Sequence, residues 1–191
     1  MHTDAETRAH YEWIALRCQA GEPDGFEDLI AVMERPLHYY ATSLTGNADS
    51  ALDVLQEVWI KALRGIRKLK DPGSLRSWLY TITHGVAVDR IRRNASRERA
   101  EQVELEDFEE AQEPSEALSF AAEDAAAIHQ ALSEISLVHR EVLVLHFLED
   151  LSIAEIAGVV GCSEGTVKSR LHYAKRAMKE ILIGGDYGNA K

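Results

Sequence analysis

The stretch that most constrains the fold is residues 151–182, which reads LSIAEIAGVVGCSEGTVKSRLHYAKRAMKEIL. It begins with a short amphipathic pattern, and Gly161, Cys162 and Ser163 then interrupt that pattern. Ser163 is a good N-cap, because its hydroxyl oxygen can accept a backbone N–H of the next turn. The following apolar residues recur at steps of three and four, so they share one face of a second helix. They are Val167, Leu171, Ala174, Met178 and Leu182.

The opposite face of this second helix is basic. It carries Lys168, Arg170, Lys175, Arg176 and Lys179. Two helices joined by a tight glycine turn, with a basic second helix, predict a helix-turn-helix whose second helix enters the DNA major groove. The competing interpretation is an ordinary pair of antiparallel helices with a solvated basic face, because short motifs give false positives.

The composition indicates a helical protein without a membrane segment. Only four prolines occur in 191 residues, and apolar residues recur at steps of three to four, which predicts an all-α fold. No apolar run approaches the roughly 20 residues of a membrane helix. The first ten residues are polar and lack a signal-peptide pattern, so we expect a cytoplasmic protein. Cys18 and Cys162 lie far apart, and each is expected to be a small core residue.

The net charge of −11 is concentrated in one short segment. Residues 101–127 contain ten acids and no lysine or arginine, whereas residues 1–100 contain 14 basic and 14 acidic side chains. An acidic run of this kind buries little surface and predicts an extended, mobile linker. Three roles stay open for it: a plain solvated linker, an imitation of nucleic acid in a partner's basic channel, and a mask over the basic C-terminal helix.

The linker predicts two small helical domains. The second domain begins with two helices between Ile128 and Phe147, which lead into the helix-turn-helix. Gly184 and Gly185 are expected to end its last helix. The expected boundaries are 1–94 for the first domain, 95–127 for the linker, 128–185 for the second domain and 186–191 for a tail.

Four helices are predicted in the first domain. The first spans about Tyr11 to Gln19, and the second begins at Gly25 and should kink or end at Pro36. The third spans about Asp49 to Leu69 and is predicted to bury one side, formed by Leu52, Leu55, Val58, Trp59, Ala62, Leu63 and Ile66. The acids on its other side, Asp53 and Glu57, with Gln56, fit either simple helix-dipole electrostatics or a partner surface.

A strong loop signal at residues 70–74, KDPGS, precedes a fourth helix from about Leu75 to Arg93. Rings and hydroxyl groups near a basic loop and a basic helix end suit single-stranded DNA, because bases stack on rings while cations follow the backbone. The competing interpretation is that Trp78 is buried and Tyr80 half-buried, and we favour burial for Trp78. For the cluster of Arg90, Arg92 and Arg93 we favour phosphate contact, because the helix dipole alone would not need so many charges.

Two helical modules joined by an acidic linker, the second a helix-turn-helix, resemble the sigma-70 family and especially its small extracytoplasmic-function group. DVLQEVWIKALRGI, at residues 53–66, is similar to the helix that docks on the coiled coil of the RNA polymerase β′ clamp. SLRSWLYTITHGVAVDRIRR, at residues 74–93, is similar to the segment that melts the promoter and recognises the −10 element. Residues 136–182 resemble the −35-binding domain, and the likeness covers almost the whole chain.

The resemblance implies roles for individual residues. It implies polymerase contacts at Asp53, Gln56, Glu57 and Ile60. It implies −10 DNA contacts at Lys70, Asp71, Ser74, Leu75, Trp78, Tyr80, His84, Arg90, Arg92 and Arg93. It implies that Lys168, Ser169, His172 and Tyr173 read the −35 element, and that Thr166, Arg170 and Arg176 contact its phosphates.

The resemblance further implies an alternative sigma subunit that makes core RNA polymerase promoter-specific and performs no covalent chemistry. Its partners would be the β′ clamp and β flap of core polymerase, promoter DNA, and an anti-sigma factor, often membrane-bound in this group. No cofactor or metal is expected, and the free chain should be a monomer. One alternative is a stand-alone helix-turn-helix regulator, which needs a dimer and a palindromic site. The other is an enzyme, which we do not expect, because the eight histidines form no nucleophile–base constellation.

Overall fold

The computed structural model describes residues 4–101, the first unit, and residues 128–186, the second unit, with side chains at 6–95 and 128–182. Both units are helical and neither contains a strand, which confirms the all-α prediction. The first unit contains α1 (Asp4–Ala20), α2 (Gly25–Thr45), α3 (Ala48–Gly65) and α4 (Leu75–Glu101). The second contains α5 (residues 128–134), α6 (Leu137–Leu143), α7 (Ile153–Val160) and α8 (Glu164–Asp186). A π-helical turn, Val144–Leu148, extends α6.

α2 continues through Pro36, so the helix does not end at that residue. A proline inside a helix removes a backbone hydrogen bond and costs about 3 kcal/mol. Burial offsets this cost, because α2 encloses a long apolar face that includes Leu29, Met33 and Leu37. The helix ends instead at Gly46, which is left-handed (φ 70°) and donates its N–H to the carbonyl of Thr42.

The third helix is shorter than predicted. α3 begins after Asn47, whose side chain accepts the N–H of Ser50, and it ends at Gly65. A single 3-10 turn, Ile66–Lys68, follows. The indole of Trp78 lies so close to Gly65 that an added Cβ would come within 2.9 Å of the ring. Glycine therefore allows α4 to approach the end of α3.

Three other helices are longer than predicted. α1 begins at Asp4, α4 continues to Glu101, and α8 continues to Asp186 through the two glycines expected to end it. The sequences of these extensions contain few apolar residues, so apolar periodicity gives little signal for a helix there. Residues 102–127, which contain most of the predicted acidic linker, and the tail after 186 lie outside the described residues.

The buried side chains of the two units form one connected core. α4 is central to it, because α4 packs against α2 and α3 of the first unit and against α7 of the second. Leu79 and Tyr80 of α4 are completely enclosed, as is Ile156 of α7. The two units therefore pack against each other.

No helix within residues 4–101 or 128–186 is long and apolar enough to cross a membrane. No group of three or more histidine, cysteine, aspartate or glutamate side chains in the same ranges is placed to hold a metal ion.

Leu145 and Leu148 provide a matched test of the core, because Leu145 is completely buried while Leu148 is 47% exposed. Leu145→Ala should lower the free energy of unfolding by about 2–5 kcal/mol, since it removes buried apolar atoms and leaves a cavity. Leu148→Ala should lower it by less than about 1 kcal/mol. Urea denaturation followed by circular dichroism measures both, and equal losses would contradict the enclosed position of Leu145.

Candidate nucleic-acid interface

The turn between α7 and α8 has the geometry of the predicted helix-turn-helix. α7 begins with a capping box, in which Ser152 and Glu155 each accept the backbone N–H of the other. It ends at Gly161, which is left-handed (φ 67°). Ser163 caps α8 as predicted, because its hydroxyl oxygen accepts the N–H of Thr166 at 3.1 Å.

One face of α8 presents most of the predicted −35 residues to solvent. The exposed ones are Lys168, Ser169, His172, Tyr173 and Arg176, and Thr166 is half-buried. The ring of Tyr173 is 56% exposed and lies edge-on to that of His172. The opposite face buries Val167, Leu171 and Ala174 in the core. The accessible polar surface therefore lies on a helix that packing holds in place.

Arg170 is the exception among these residues, because it lies in the contact between the units. Its Nη1 lies 3.3 Å from Oε1 of Glu141, and Oε2 of the same carboxyl group lies 3.5 Å from Nδ1 of His84. Burial raises the pKa of Glu141 to about 7, against the opposing effect of the Arg170 charge. Burial also lowers the pKa of His84. One buried acid thus meets a predicted −35 residue and a predicted −10 residue.

The predicted −10 residues lie in three different environments. Lys70, Asp71, Arg92 and Arg93 are exposed, and Ser74, Trp78, His84 and Arg90 are half-buried. Leu75 and Tyr80 are completely enclosed, so neither presents a surface to a base in this arrangement. Tyr80 is more deeply buried than predicted, because its hydroxyl donates a hydrogen bond to the carboxylate of Glu149 from the second unit. Trp78 is less buried than predicted and packs on Gly65.

The turn before α4 is held by its own side chains. Asp71 Oδ1 accepts the N–H of Gly73 at 3.0 Å, and Ser74 Oγ donates to the carbonyl of Asp71 at 2.7 Å. The turn borders a polar cleft of about 640 Å³ between the units. Arg8 and Arg76 bring positive charge to this cleft, whereas Asp150 and Glu155 bring negative charge. The loop predicted to contact −10 DNA therefore faces a cleft of mixed charge.

Among the described residues, four further polar contacts join the units besides those of Glu141. Arg76 of α4 donates to the backbone carbonyl of Glu149, whose carboxylate meets Tyr80. Arg140 donates to the carbonyl of Ser43 at 2.9 Å. The fourth contact joins Tyr39 and His129, whose hydroxyl oxygen and Nδ1 are 2.8 Å apart. Sequence reasoning did not identify these contacts, because no pattern along the chain shows which side chains meet across the units.

The arginines of α4 connect the predicted DNA and polymerase surfaces. Arg90 forms an ion pair with Asp53, and Nη2 of Arg93 lies 4.0 Å from Oε2 of Glu57. Glu57 also pairs with Lys61 at 2.8 Å. The hydrogen bond from Lys61, with the nearby arginines, lowers the pKa of Glu57. The phosphate role predicted for these arginines therefore competes with pairs inside the protein.

α3 presents an exposed apolar stripe that sequence reasoning partly missed. Leu52 is 57% exposed and Leu63 is 60% exposed, so the prediction that both lie on the buried side is wrong. Ile60 is also exposed, and so is Gln56. The spacing contained the signal, because positions 52, 56, 60 and 63 follow one another at steps of four and three and so share a helix face. We define these four residues as the α3 stripe.

The second unit contains an apolar groove of about 450 Å³, which we name the C-terminal groove. Its apolar lining is formed by Ile128, Leu132, Leu143, Val144, Phe147, Leu148, Met178 and Leu182. Lys175 and Lys179 of α8 also line it, and Nζ of Lys175 lies 5.0 Å from the centre of the Phe147 ring. Phe147 is 52% exposed, which is unusual for a large apolar side chain. An exposed groove of this kind indicates an interaction site.

Comparison with known proteins gives matches over both units. The family model of sigma-70 region 2 matches residues 20–97, and that of sigma-70 region 4 matches residues 125–178. The ECF RNA polymerase sigma factor SigL of Mycobacterium tuberculosis is 36% identical over 144 residues, which is 75% of this chain and 80% of SigL. The RNA polymerase sigma factor SigV of Bacillus subtilis is 33% identical over 149 residues, covering 76% and 84% of the two chains.

One solved structure is similar over most of this chain. The sigma factor RpoE of Bartonella quintana, in complex with the anti-sigma factor NepR, has a TM-score of 0.68 and 26% identity. The similarity covers 83% of this chain and 97% of RpoE. CnrH in complex with the cytosolic domain of CnrY supports the fold, with a TM-score of 0.65 at 22% identity over 91% and 97% of the two chains.

Glu141→Gln should weaken the pH dependence of stability. With a pKa near 7 instead of the ordinary 4.5, Glu141 holds a proton in the folded chain that the unfolded chain has released. The contribution of protonated Glu141 to the free energy of unfolding is therefore complete below about pH 4.5, and it is lost as the pH rises through 7. Between pH 5 and 8 the wild type should lose about 1–3 kcal/mol more than Glu141→Gln. Urea denaturation across this range tests it, with the exposed Glu134→Gln as control; parallel curves for all three proteins would contradict the assignment.

Proposed function

The chain belongs to the sigma-70 family, in its extracytoplasmic-function group, as an alternative sigma factor that directs transcription initiation, and we propose how its surfaces divide that work. The first unit acts as one domain, which binds polymerase and −10 DNA, and the second as another, which binds the −35 element. The observation that carries the division is the exposed α3 stripe, which a stand-alone regulator would leave unexplained. Family membership excludes that alternative.

The α3 stripe is the surface proposed for the β′ clamp. Its leucines and Ile60 are exposed although α3 is otherwise packed against α4. Gln56 lies within the stripe. Asp53 and Glu57 lie beside it, where they form ion pairs with arginines of α4. An apolar centre with a charged rim is the usual composition of a protein–protein interface. Contact with the clamp would therefore bury the apolar residues and leave the acids at the edge.

The C-terminal groove is the surface proposed for the β flap. It is concave and almost entirely apolar, and two lysines of α8 line it. A groove of this shape accepts the apolar face of an amphipathic helix. Because the groove and the α3 stripe lie on different units, polymerase would hold each unit separately and set the distance between them. Avidity from two such contacts does not require either one to be strong.

The exposed face of α8 is proposed to read duplex DNA at the −35 element. Lys168 and Ser169 lie in the early turns of the helix, which reach base edges when a recognition helix enters the major groove. His172 and Tyr173 extend the same exposed face, and Arg176 follows one turn later. Thr166, which follows the N-cap residue Ser163, would contact phosphates together with Arg176. Arg170 could join them only after leaving Glu141.

The first unit is proposed to bind unpaired −10 DNA through the 70–74 turn and α4. Extrusion of a base costs a few kcal/mol, which pocket and stacking contacts must offset. Contacts that form only with the unpaired strand shift the equilibrium from the closed to the open promoter. Arg92 and Arg93, exposed near the end of α4, would follow the backbone. Each unit offers few phosphate contacts, so the free chain should bind DNA weakly.

An anti-sigma factor is the partner proposed to keep the chain from polymerase. The relevant neighbours are RpoE, solved in complex with the anti-sigma factor NepR, and CnrH, solved with the cytosolic domain of CnrY. We propose an inhibitor of the same kind for this chain, which would itself be a monomer when free. The chain would act in the cytoplasm, as a binding protein that performs no covalent chemistry.

Lys168→Ala with Arg176→Ala should weaken transcription from the chain's own promoter. Base and phosphate contacts contribute about 1–3 kcal/mol each, so holoenzyme affinity for promoter DNA should fall by at least about 10-fold. Run-off transcription on genomic fragments with reconstituted holoenzyme first recovers the promoter and then measures the loss. The control is Arg35→Ala with Arg67→Ala, which removes two exposed cations of the first unit. Unchanged transcription by the α8 variant would count against its −35 role.

Gln56→Ala with Glu57→Lys should weaken binding to core polymerase by about 10-fold or more, since it removes a polar group within the α3 stripe and reverses a charge at the edge of the proposed clamp contact. Co-purification with core polymerase, followed by titration of a labelled chain, measures the change. Gln130→Ala with Glu34→Lys makes the same chemical changes at two exposed positions outside the α3 stripe and should bind as the wild type does. Wild-type affinity of the first variant would remove the clamp proposal.

A further inference from the structure

Most glycines whose surroundings the structure describes are explained by the chain itself. Three of them have left-handed φ angles between 67° and 76°, which a residue with a side chain rarely adopts: Gly21, Gly46 and Gly161. At three others an added Cβ would have a neighbouring atom within 3.3 Å: Gly25, Gly65 and Gly73. Backbone conformation or close packing therefore accounts for these six positions.

The other three glycines in the described part of the chain lie inside helices and have neither reason. At Gly85 of α4 and Gly158 of α7, no side chain and no other element lies within 4 Å of an added Cβ. At Gly165 of α8 the nearest such atom is Oγ of Ser163, at 3.7 Å, which is an ordinary van der Waals distance. All three are exposed, and none of the three is left-handed. The fold would therefore accept alanine at each position, and alanine favours a helix over glycine.

Gly165 differs from the other two in the face on which it lies. Lys168, Ser169 and His172 follow it at steps of three, four and seven residues, so all four positions share one face of α8. This face is exposed and is the one proposed to read the −35 element. Gly165 thus leaves a gap in the first turn of that face, where a recognition helix contacts base edges.

The gap has fixed surroundings. The hydroxyl oxygen of Ser163 accepts the N–H of Thr166 at 3.1 Å and lies 2.9 Å from the hydroxyl oxygen of Thr166. Val167 is completely buried, and its N–H donates to the carbonyl of Ser163 at 3.1 Å. Because caps and packing hold the first turn of α8 in place, the size of residue 165 determines how much room remains there.

We propose that Gly165 is a specificity-determining residue of the −35 surface, because its missing side chain lets the edge of a base pair contact the backbone of α8. The inference rests on the proposed role of α8 in reading the −35 element. A Cβ at this position would hold the helix away from the groove and lengthen the base contacts of Lys168 and Ser169. Hydrogen bonds weaken quickly beyond about 3.2 Å, so sequence discrimination should fall. Phosphate contacts carry no sequence information directly and would maintain general DNA binding.

Gly165→Ala should stabilise the fold and weaken promoter recognition, two effects of opposite sign. Thermal denaturation followed by circular dichroism should show a Tm about 1–4 °C above that of the wild type. The DNA probe is the promoter fragment recovered by run-off transcription, labelled with a dye for fluorescence anisotropy. Holoenzyme reconstituted with the variant should bind it about 10-fold less tightly, since good base contacts are lost.

The sequence of the −35 element provides the decisive comparison. On a fragment whose −35 element is scrambled, holoenzymes with the wild type and with Gly165→Ala should bind equally. The preference for the intact over the scrambled fragment should therefore fall about 10-fold in the variant. Gly165→Leu, which fills the gap further, should lose at least as much of this preference. A merely structural role for Gly165 would leave the preference unchanged.

Gly85→Ala is the matched control, because it fills an equally open position on an exposed helix face of the other unit. It should also raise the Tm, and its holoenzyme should keep the wild-type preference for the intact −35 element. An equal loss of preference in this control would overturn the assignment to Gly165.

Two other results would overturn the inference. A Gly165→Ala holoenzyme that keeps the wild-type preference would show that no base pair needs the gap. A Tm below that of the wild type would show that the fold itself needs the glycine.

The proposed function fails in a different way. A wild-type holoenzyme that binds the intact and scrambled fragments equally would overturn the −35 role of α8, together with the inference that depends on it. A wild-type holoenzyme that prefers the intact fragment, with the same preference in Gly165→Ala, would overturn the role of Gly165 alone.

Discussion

Both units of the chain pack against α4, and this shared helix determines which surfaces are free. Its contacts with α2 and α3 build the first unit, and its contact with α7 joins the second unit to the first. Leu79, Tyr80 and Ile156 are enclosed where these elements meet. Because α7 covers part of α4, the packing of the units and the proposed −10 recognition involve the same helix.

The polar contacts between the units place two buried acids beside partners from both units. Burial of a carboxylate costs several kcal/mol, and a partner returns much of that cost only when it is correctly placed. Glu149 meets Arg76 and Tyr80, and Glu141 meets His84 and Arg170, so neither acid is buried without a partner. Such pairs add little net stability but are specific in geometry.

The local elements could largely be predicted from the sequence. The helix-turn-helix followed from periodicity, from Gly161 and from the Ser163 cap, all of which act within a few residues. The α3 stripe could have been predicted as well, because its spacing is visible, but leucine was assumed to be buried. The burial of Tyr80 could not be predicted, because it depends on Glu149, 69 residues later in the chain. Contacts between units arise from the tertiary arrangement, which local patterns do not encode.

Charge and connectivity together explain how an acidic chain can act on DNA. The basic face of α8 is local, and the acids are concentrated in residues 101–127, so the net charge of −11 does not describe the surface that meets phosphate. A partner can open the units only if it binds the open state more tightly than the closed one. Under the proposed division of surfaces, polymerase supplies that difference through the α3 stripe and the C-terminal groove, which lie on different units. Because a rigid partner engages both at a distance set by its own structure, it favours one separation of the units over all others.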